Sequence, residues 1–397
     1  MEVKPGYKQT EVGVVPENWE IKKFLDLCIL QRGFDITEET KKKGNIPVIS
    51  SSGLTYYHNE AKVKPPGVVT GRKGMLGNVY YLENPFWPHD TTLWVKDFRG
   101  NYPLYVYYFL ISFKLQRFDA ATSVPTLNRN NLSGEIVATP PLPEQTAIAT
   151  ALSDVDVLIS GLDRLIEKKW AIKQAAMQEL LTGKRRLPGF DSGKGYKQTE
   201  VGEIPEDWEI LRLGDNSVSF TGGTPLTSNQ NYYGSDYYWI TSSDLNKFHI
   251  HSVNGMISQA GLEKSSAKTV KKGTLLIALY GATAGVTAIT HIDATINQAI
   301  LAIIPNNFDT TYLFNYFHFR KKWILGTFVQ GGQPNLSGEI IRSLMIPHPP
   351  LPEQTAIATV LSDMDAEISA LETRRAKTLS LKQGMMQELL TGRIRLV

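Results

Sequence analysis

The chain has 397 residues, 42% hydrophobic and 20% charged, an ordinary globular composition that excludes a fibre or a mucin-like stalk and is long enough for two or more cores. Its 42 basic and 39 acidic side chains leave a net charge of +3, which excludes an acidic DNA mimic and leaves the distribution of charge to decide on nucleic acid. With no basic leader before an apolar run, no long apolar stretch and a single cysteine, Cys28, the chain is expected to be cytoplasmic and to lack disulfides and cysteine-based metal clusters, with Cys28 a small core residue.

The first segment with a pattern is GYKQTEVG at Gly6 to Gly13, followed by Pro16 and Trp19. Beyond it, from about 17 to 142, short apolar runs alternate with Gly, Pro and Asn: Ile46 to Ile49, Val68 to Thr70, Val79 to Leu82 and Leu93 to Val95. This spacing predicts strands. An aromatic stretch from Leu104 to Phe113 predicts a helix.

Within this segment GRKGMLG at Gly71 to Gly77 sets glycines beside Arg72 and Lys73. Glycine permits close backbone approach to a phosphate or base edge, and the two cations suit phosphate and guanine. The alternative is a tight turn between strands. Gln31 and Arg32, Ser50 with Ser51 and Ser52, and Asn128, Arg129, Asn130 and Asn131 add amide, hydroxyl and guanidinium groups of the kind base edges require.

At Pro140 the chain enters PPLPEQTAIAT, then LSD at Leu152 to Asp154 and QELLTG at Gln178 to Gly183. Ile148, Leu152, Val155, Ile159, Leu162 and Ile166 follow the four-three spacing of a heptad seam. Pro143 and Glu144 suit a helix start and Gly183 its end. About forty residues at about 1.5 Å each make a helix roughly 60 Å long, the dimensions of a spacer. Lys169 and Lys173 interrupt the seam. The sequence KRRLPGFDSGKG, Lys184 to Gly195, has the composition of a surface linker.

From there the chain repeats itself. GYKQTEVG returns at Gly195 to Gly202 with Pro205 and Trp208, an offset of 189; PPLPEQTAIAT, LSD and QELLTG return at Pro349, Leu361 and Gln387, an offset of 209. Identity over so long a run is not chance. The intervening segment, about 206 to 351, again reads as strands, at Tyr237 to Thr241, Thr274 to Leu279, Val286 to Thr290 and Ala299 to Ile303, before an aromatic helix at Tyr312 to Trp323. Its polar candidates are Thr241, Ser242, Ser243, Lys247, Asn297, Gln298 and Gln333, beside the glycine turn YGATAG at Tyr280 to Gly285. The second seam runs Ile357, Leu361, Met364, Ile368 and Leu371, interrupted by Arg375 and Lys382. Constant blocks thus alternate with variable ones in a quasi-circular order, as expected if two halves relate by a pseudo-twofold axis and the termini meet.

Several chemistries find no support. ENPFWP at Glu83 to Pro88 lacks the second proline of an adenine methyltransferase motif, and FTGGTP at Phe220 to Pro225 has no lysine in phosphate-loop spacing. His249 and His251 share a strand face without a nearby acid or cysteine to complete a metal site. No catalytic residue and no metal ligand is expected. Two other classes stay open: an enzyme with unfamiliar motifs, and a coiled-coil scaffold that does not read DNA.

With its duplicated PLPEQTAIAT, LSD and QELLTG blocks and its GYKQTEVG starts, the whole chain resembles the specificity subunit of type I restriction-modification systems. The resemblance implies an α+β protein with two mixed α/β target recognition domains separated by two long conserved helices packed as an antiparallel coiled coil. The expected order is residues 1–142 for the first recognition domain with its repeat, 143–183 for a spacer helix, 184–351 for linker, repeat and second domain, and 352–397 for the second helix and tail. It also implies a non-catalytic reader of a bipartite site in double-stranded DNA, one half-site per domain. Two methyltransferase subunits and the restriction subunits would dock on it, and S-adenosylmethionine, ATP and Mg²⁺ would be bound by those partners.

Overall fold

The computed structural model describes residues 3–119, 123–329 and 335–396. They form two compact units, Met1–Arg164 with Glu372–Val397, and Leu165–Leu371. The first is therefore assembled from two stretches distant in the chain, and the second is one continuous stretch that takes in the end of the first long repeat and the start of the second.

In the first unit the GYKQTEVG block is a hairpin, β1 (Tyr7–Thr10) and β2 (Gly13–Pro16). β3 (Glu20–Lys23) and the short helix α1 (Phe24–Leu27) follow. The strands β4 (Ile29–Arg32), β5 (Ile46–Ser50), β6 (Gly53–His58), β7 (Gly67–Gly71), β8 (Val79–Leu82), β9 (Trp87–Pro88) and β10 (Thr92–Asp97) then build two sheets, ordered β4-β10-β7-β8 and β6-β5-β9. β7 is buried at every residue, which explains why Val68 to Thr70 reads as an unbroken apolar run rather than an alternating one. The helix α2 (Pro103–Ser112) starts on a proline, which lacks only a donor the first turn cannot use. β11 (Ile136–Thr139) returns to pair with β3, and the chain enters α3 (Leu142–Leu180). Cys28 lies in this core, where burial pushes its thiol up to about 12 and leaves it unreactive.

The second unit repeats the plan. β12 (Tyr196–Thr199) and β13 (Gly202–Pro205) form the hairpin, and β14 (Glu209–Arg212) precedes β15 (Ser217–Thr221). β16 (Tyr233–Ile240), β17 (His249–Ile250), β18 (Met256–Ile257), α4 (Gln259–Glu263), β19 (Lys268–Val270), β20 (Leu275–Ala278), β21 (Thr287–Thr290), β22 (Ala294–Ile296) and β23 (Ile300–Pro305) follow. The sheets are ordered β15-β23-β20-β21-β17 and β18-β16-β22-β19. The first of these extends the order of its counterpart by one strand, β17. Asp309 caps α5 (Thr310–Phe328) by accepting from the Thr311 and Tyr312 amides at 2.8 and 2.9 Å. α6 (Gly338–Ser343) and β24 (Met345–His348) lead into α7 (Leu351–Leu389), and β24 pairs with β14 as β11 pairs with β3.

The strands read from apolar runs are all present, and the aromatic stretches are α2 and α5. The hairpins of the short repeats were not read as strands, because YKQT carries no apolar alternation; they are held by packing instead. Tyr7 donates to the Arg393 carbonyl at 3.3 Å, and Tyr196 donates to the Gly183 and Lys184 carbonyls at 3.2 Å. The first of these contacts joins the two ends of the chain within the first unit.

The long helices run antiparallel within each unit. In the first, Lys382 meets Asp156 at 2.6 Å and Arg375 meets Asp163; in the second, Lys169 meets Glu367 at 2.6 Å and Lys173 meets Asp365 at 2.5 Å. Every cation that breaks the heptad pattern therefore finds an acid on the facing helix. Ile148, Leu152, Ile159 and Leu162, with Ile357, Leu361 and Ile368, are buried as the seam requires. Among the described residues no helix is long and apolar enough to cross a membrane.

Candidate nucleic-acid interface

The framework that positions the loops of each unit is a node made by the constant blocks. Glu144, in the first turn of α3, accepts from the Trp19 indole at 3.0 Å and from Arg395 at 3.0 and 2.7 Å. Glu353 on α7 accepts from Trp208 at 3.0 Å and from Arg186 at 2.5 and 2.7 Å. Both carboxylates are 1% exposed, and a charge so buried is tolerable only with this set of charged and N–H partners. Gly183 and Gly392 end their helices at φ +70° and +72°, where a Cβ would also strike Pro205 and Pro16 respectively. Each constant motif thus touches the others of its unit. Arg186 belongs to the stretch read as a surface linker; its side chain is instead 5% exposed and also pairs with Asp207 at 2.8 Å.

On that framework the first unit brings four of its candidates, Arg32, Ser51, Arg72 and Lys73, to one turn, Asp90–Thr91. Arg32, at the end of β4, reaches Asp90 at 3.1 Å and Asp35 at 3.2 Å. The Ser51 amide donates to the Thr91 hydroxyl at 3.3 Å, and the Arg72 and Lys73 amides donate to the Thr91 carbonyl at 2.8 and 3.1 Å. The Arg72 guanidinium donates to the Asp90 carbonyl at 3.2 Å. Ser52 and Lys73 are exposed beside them. Ser50, by contrast, is buried and donates to the Gly53 carbonyl. Gln31 is half-buried in β4 opposite Trp94.

Asn128, Arg129 and Asn130 join the same region through the Leu127 amide, which donates to the Arg72 carbonyl at 2.8 Å, and through Arg129, which donates to the Leu30 carbonyl at 3.4 Å. The Asn128 side chain caps the short 3-10 turn Arg129–Asn131 by accepting from the Asn130 amide. Asn130 and Asn131 are exposed.

The second unit gathers fewer. Thr241 caps the 3-10 turn Ser242–Lys247 in a reciprocal box with Asp244, leaving Ser243 exposed. The Asn297 amide donates to the Ile240 carbonyl at 3.1 Å, which sets Gln298 beside this turn, and the Thr224 hydroxyl donates to Gln298 Oε1. Lys247 folds back onto the Ser252 carbonyl at 2.8 Å. YGATAG forms a 3-10 turn at Gly281–Thr283. Gln333 lies outside the described residues.

Asp35, Asp90, Thr91 and Thr224 are not marked by any pattern in the sequence. One signal could have found their surroundings: ISSS at Ile49 to Ser52 and ITSS at Ile240 to Ser243 are the same hydroxyl-rich turn, standing in segments otherwise unlike. His249 and His291 approach at 3.0 Å, and His251 stacks on His291. Burial lowers the His249 and His291 values, and among the described residues no group of ligand side chains is arranged to hold a metal.

The family model described as the type I restriction modification DNA specificity domain matches the chain twice, over residues 16–168 and 205–381. Over 424 aligned positions the chain is 27% identical to the MjaX type I restriction enzyme specificity subunit of Methanocaldococcus jannaschii, covering 98% of this chain and 96% of that one. It is 21% identical to the EcoBI specificity subunit of Escherichia coli over 91% of this chain and 82% of that one. Among solved structures, the S subunit of a type I restriction-modification system from M. genitalium superposes with a TM-score of 0.62 at 15% identity, covering 94% of this chain and 96% of that one. At that identity the likeness speaks to the fold.

Proposed function

The chain belongs to the type I restriction modification DNA specificity family, and from that premise we propose how its two units divide the work of reading DNA. It is a non-catalytic recognition subunit with two recognition domains for a bipartite target. The loops around Asp90–Thr91 in the first unit and around Thr241 and Gln298 in the second face base edges, one half-site each, while Arg72, Lys73 and Arg129 anchor phosphates. The observation that carries this reading is that the two units share one framework, with a buried glutamate joined to a tryptophan and an arginine in each, and differ in the polar side chains mounted on it.

The repeated helices set the spacing between half-sites and carry the partners. Trp170 and Ile172 on α3 are exposed, and so are Leu379 and Leu381, which stand at the same positions of the repeat on α7. Twinned apolar side chains left uncovered on a charged helix suit docking of a partner at each. This accounts for two methyltransferase subunits, with restriction subunits joining them in the cytoplasm. S-adenosylmethionine, ATP and Mg²⁺ belong to those partners, whose methyltransferase takes the target adenine out of the stack.

Selection from a random DNA pool by the reconstituted methyltransferase complex tests the function. A two-part consensus is expected, together with the absence of methylation by this chain alone. Binding without sequence preference at moderate salt would overturn it.

A further inference from the structure

The framework makes particular positions of the two units equivalent. The His89 amide donates to the Ile49 carbonyl at 2.8 Å, as the Asn297 amide does to Ile240 at 3.1 Å; the Phe34 amide donates to Pro88 at 2.8 Å, as Gly223 does to Ile296 at 3.0 Å. Gly33 and Gly222 precede the latter pair, and a Cβ on either would collide with the carbonyl of His89 or Ile296. Counting outward from these fixed points, Asp35 corresponds to Thr224 and Asp90 to Gln298.

One spot of the fold thus carries two chemistries. In the first unit Asp35 and Asp90 clamp Arg32 through its Nη2, and Asp90 also meets His89 at 2.8 Å. Among the described residues no partner faces the Nε and Nη1 donors of Arg32, which is exposed. In the second unit the clamp is replaced by Thr224, whose hydroxyl holds the exposed Gln298 by its carbonyl oxygen, and among the described residues no partner takes the Gln298 amide nitrogen. Exposed ion pairs add little stability, so the fold itself gains little from Arg32. Its twofold clamp occupies Nη2 and fixes the direction of the remaining Nε and Nη1 donors, which is the preorganisation that reading a base edge needs.

We propose that this spot is the base-selecting position of both units: Arg32, oriented by Asp90 and Asp35, reads a guanine in one half-site, and Gln298, oriented by Thr224, reads an adenine in the other. The pairing follows from donor and acceptor pattern, since a guanidinium carries donors alone and guanine presents acceptors alone, N7 and O6, on its major-groove edge, whereas adenine offers one donor and one acceptor to a carboxamide. The assignment rests on the DNA-reading function argued above. Asp90 and Thr224 are positioning residues that act through the side chains they hold.

The test compares base preferences, position by position, for the methyltransferase complex carrying the unaltered chain, Arg32→Ala, Asp90→Asn or Gln298→Ala, by selection from a randomised pool. Arg32→Ala is expected to lose one guanine preference by about ten- to a hundredfold, leaving the other half-site intact. Gln298→Ala is expected to lose one adenine in that other half-site. Asp90→Asn, which keeps the shape of the turn, relaxes the same guanine to a smaller extent and carries the test if Arg32→Ala does not fold. The assignment is overturned if Arg32→Ala or Asp90→Asn weakens all sequences equally, or if the lost preferences are for other bases. An unaltered complex that selects no sequence would overturn the function with it, so the two failures are distinguishable.

Discussion

Arg395 and Glu144 stand 251 residues apart in the chain and are joined by two hydrogen bonds, at 3.0 and 2.7 Å. Arg186 and Glu353 make the same contact at 2.5 and 2.7 Å. The equivalence has one flaw: Asp207 adds a second carboxylate beside Arg186, whereas the corresponding position of the first unit is Asn18.

Removing Glu144 leaves Arg395 and the Trp19 indole without this acceptor, and removing Glu353 leaves the Trp208 indole without it and the deeply buried Arg186 with Asp207 alone. Arg186 is 5% exposed and Arg395 25%, so Glu353→Ala is expected to cost about 3–5 kcal/mol and Glu144→Ala less, because water can reach Arg395. Urea unfolding of the two variants measures this. Equal costs would show that solvent access is not what separates the two nodes.

Asp207 is held below the usual carboxylate range by hydrogen bonds from Arg186. A depressed folded value means that folding favours the ionised form. Its stabilising contribution is therefore complete above about pH 3.9, the usual aspartate value, and disappears as pH falls through the lower folded value. Asp207→Asn should lower stability at neutral pH, and the gap between the two proteins should close on acidification. A gap unchanged with pH would remove the ionic explanation.

Gly183 and Gly392 are predicted to resist substitution. Alanine at either adds left-handed strain and a clash with Pro205 or Pro16, together about 1–3 kcal/mol. Thermal melting of Gly392→Ala and Gly134→Ala, the latter in open space, should show a drop for the first only.

Lys173 is 6% exposed beside Asp365. Asp365→Ala, which strands the ammonium, should destabilise by about 1–3 kcal/mol, while the double replacement Lys173→Met with Asp365→Leu should recover most of it. A double variant as unstable as the single one would mean that the pair itself, and not the stranded charge, carries the stability.

Much of this architecture was legible because duplication puts the evidence in the chain twice. Glu144 and Glu353, Trp19 and Trp208, Gly183 and Gly392 each stood at a fixed offset, and their contacts turned out to be with one another. Arg186 was missed although RL recurs at Arg395, because the prolines and glycines around it read as a linker; its burial is decided by Glu353, far away in sequence. The seam lysines looked like defects for the same reason, since Asp156 and Asp365 lie on the other helix. The candidate loops were legible only as composition. Arg32 stood out as a cation, but Asp35 and Asp90, which give it an orientation, are ordinary turn acids until the strands bring them together.

The most direct measurement replaces residues 29–135, the variable part of the first unit between its constant blocks, with the matching part of a specificity subunit of known target, and maps methylated adenines across the genome of cells carrying the complex. One half of the recognised sequence should change to that of the donor, with the other half and its adenine untouched. A change in both halves, or in neither, would contradict the division of reading between two units.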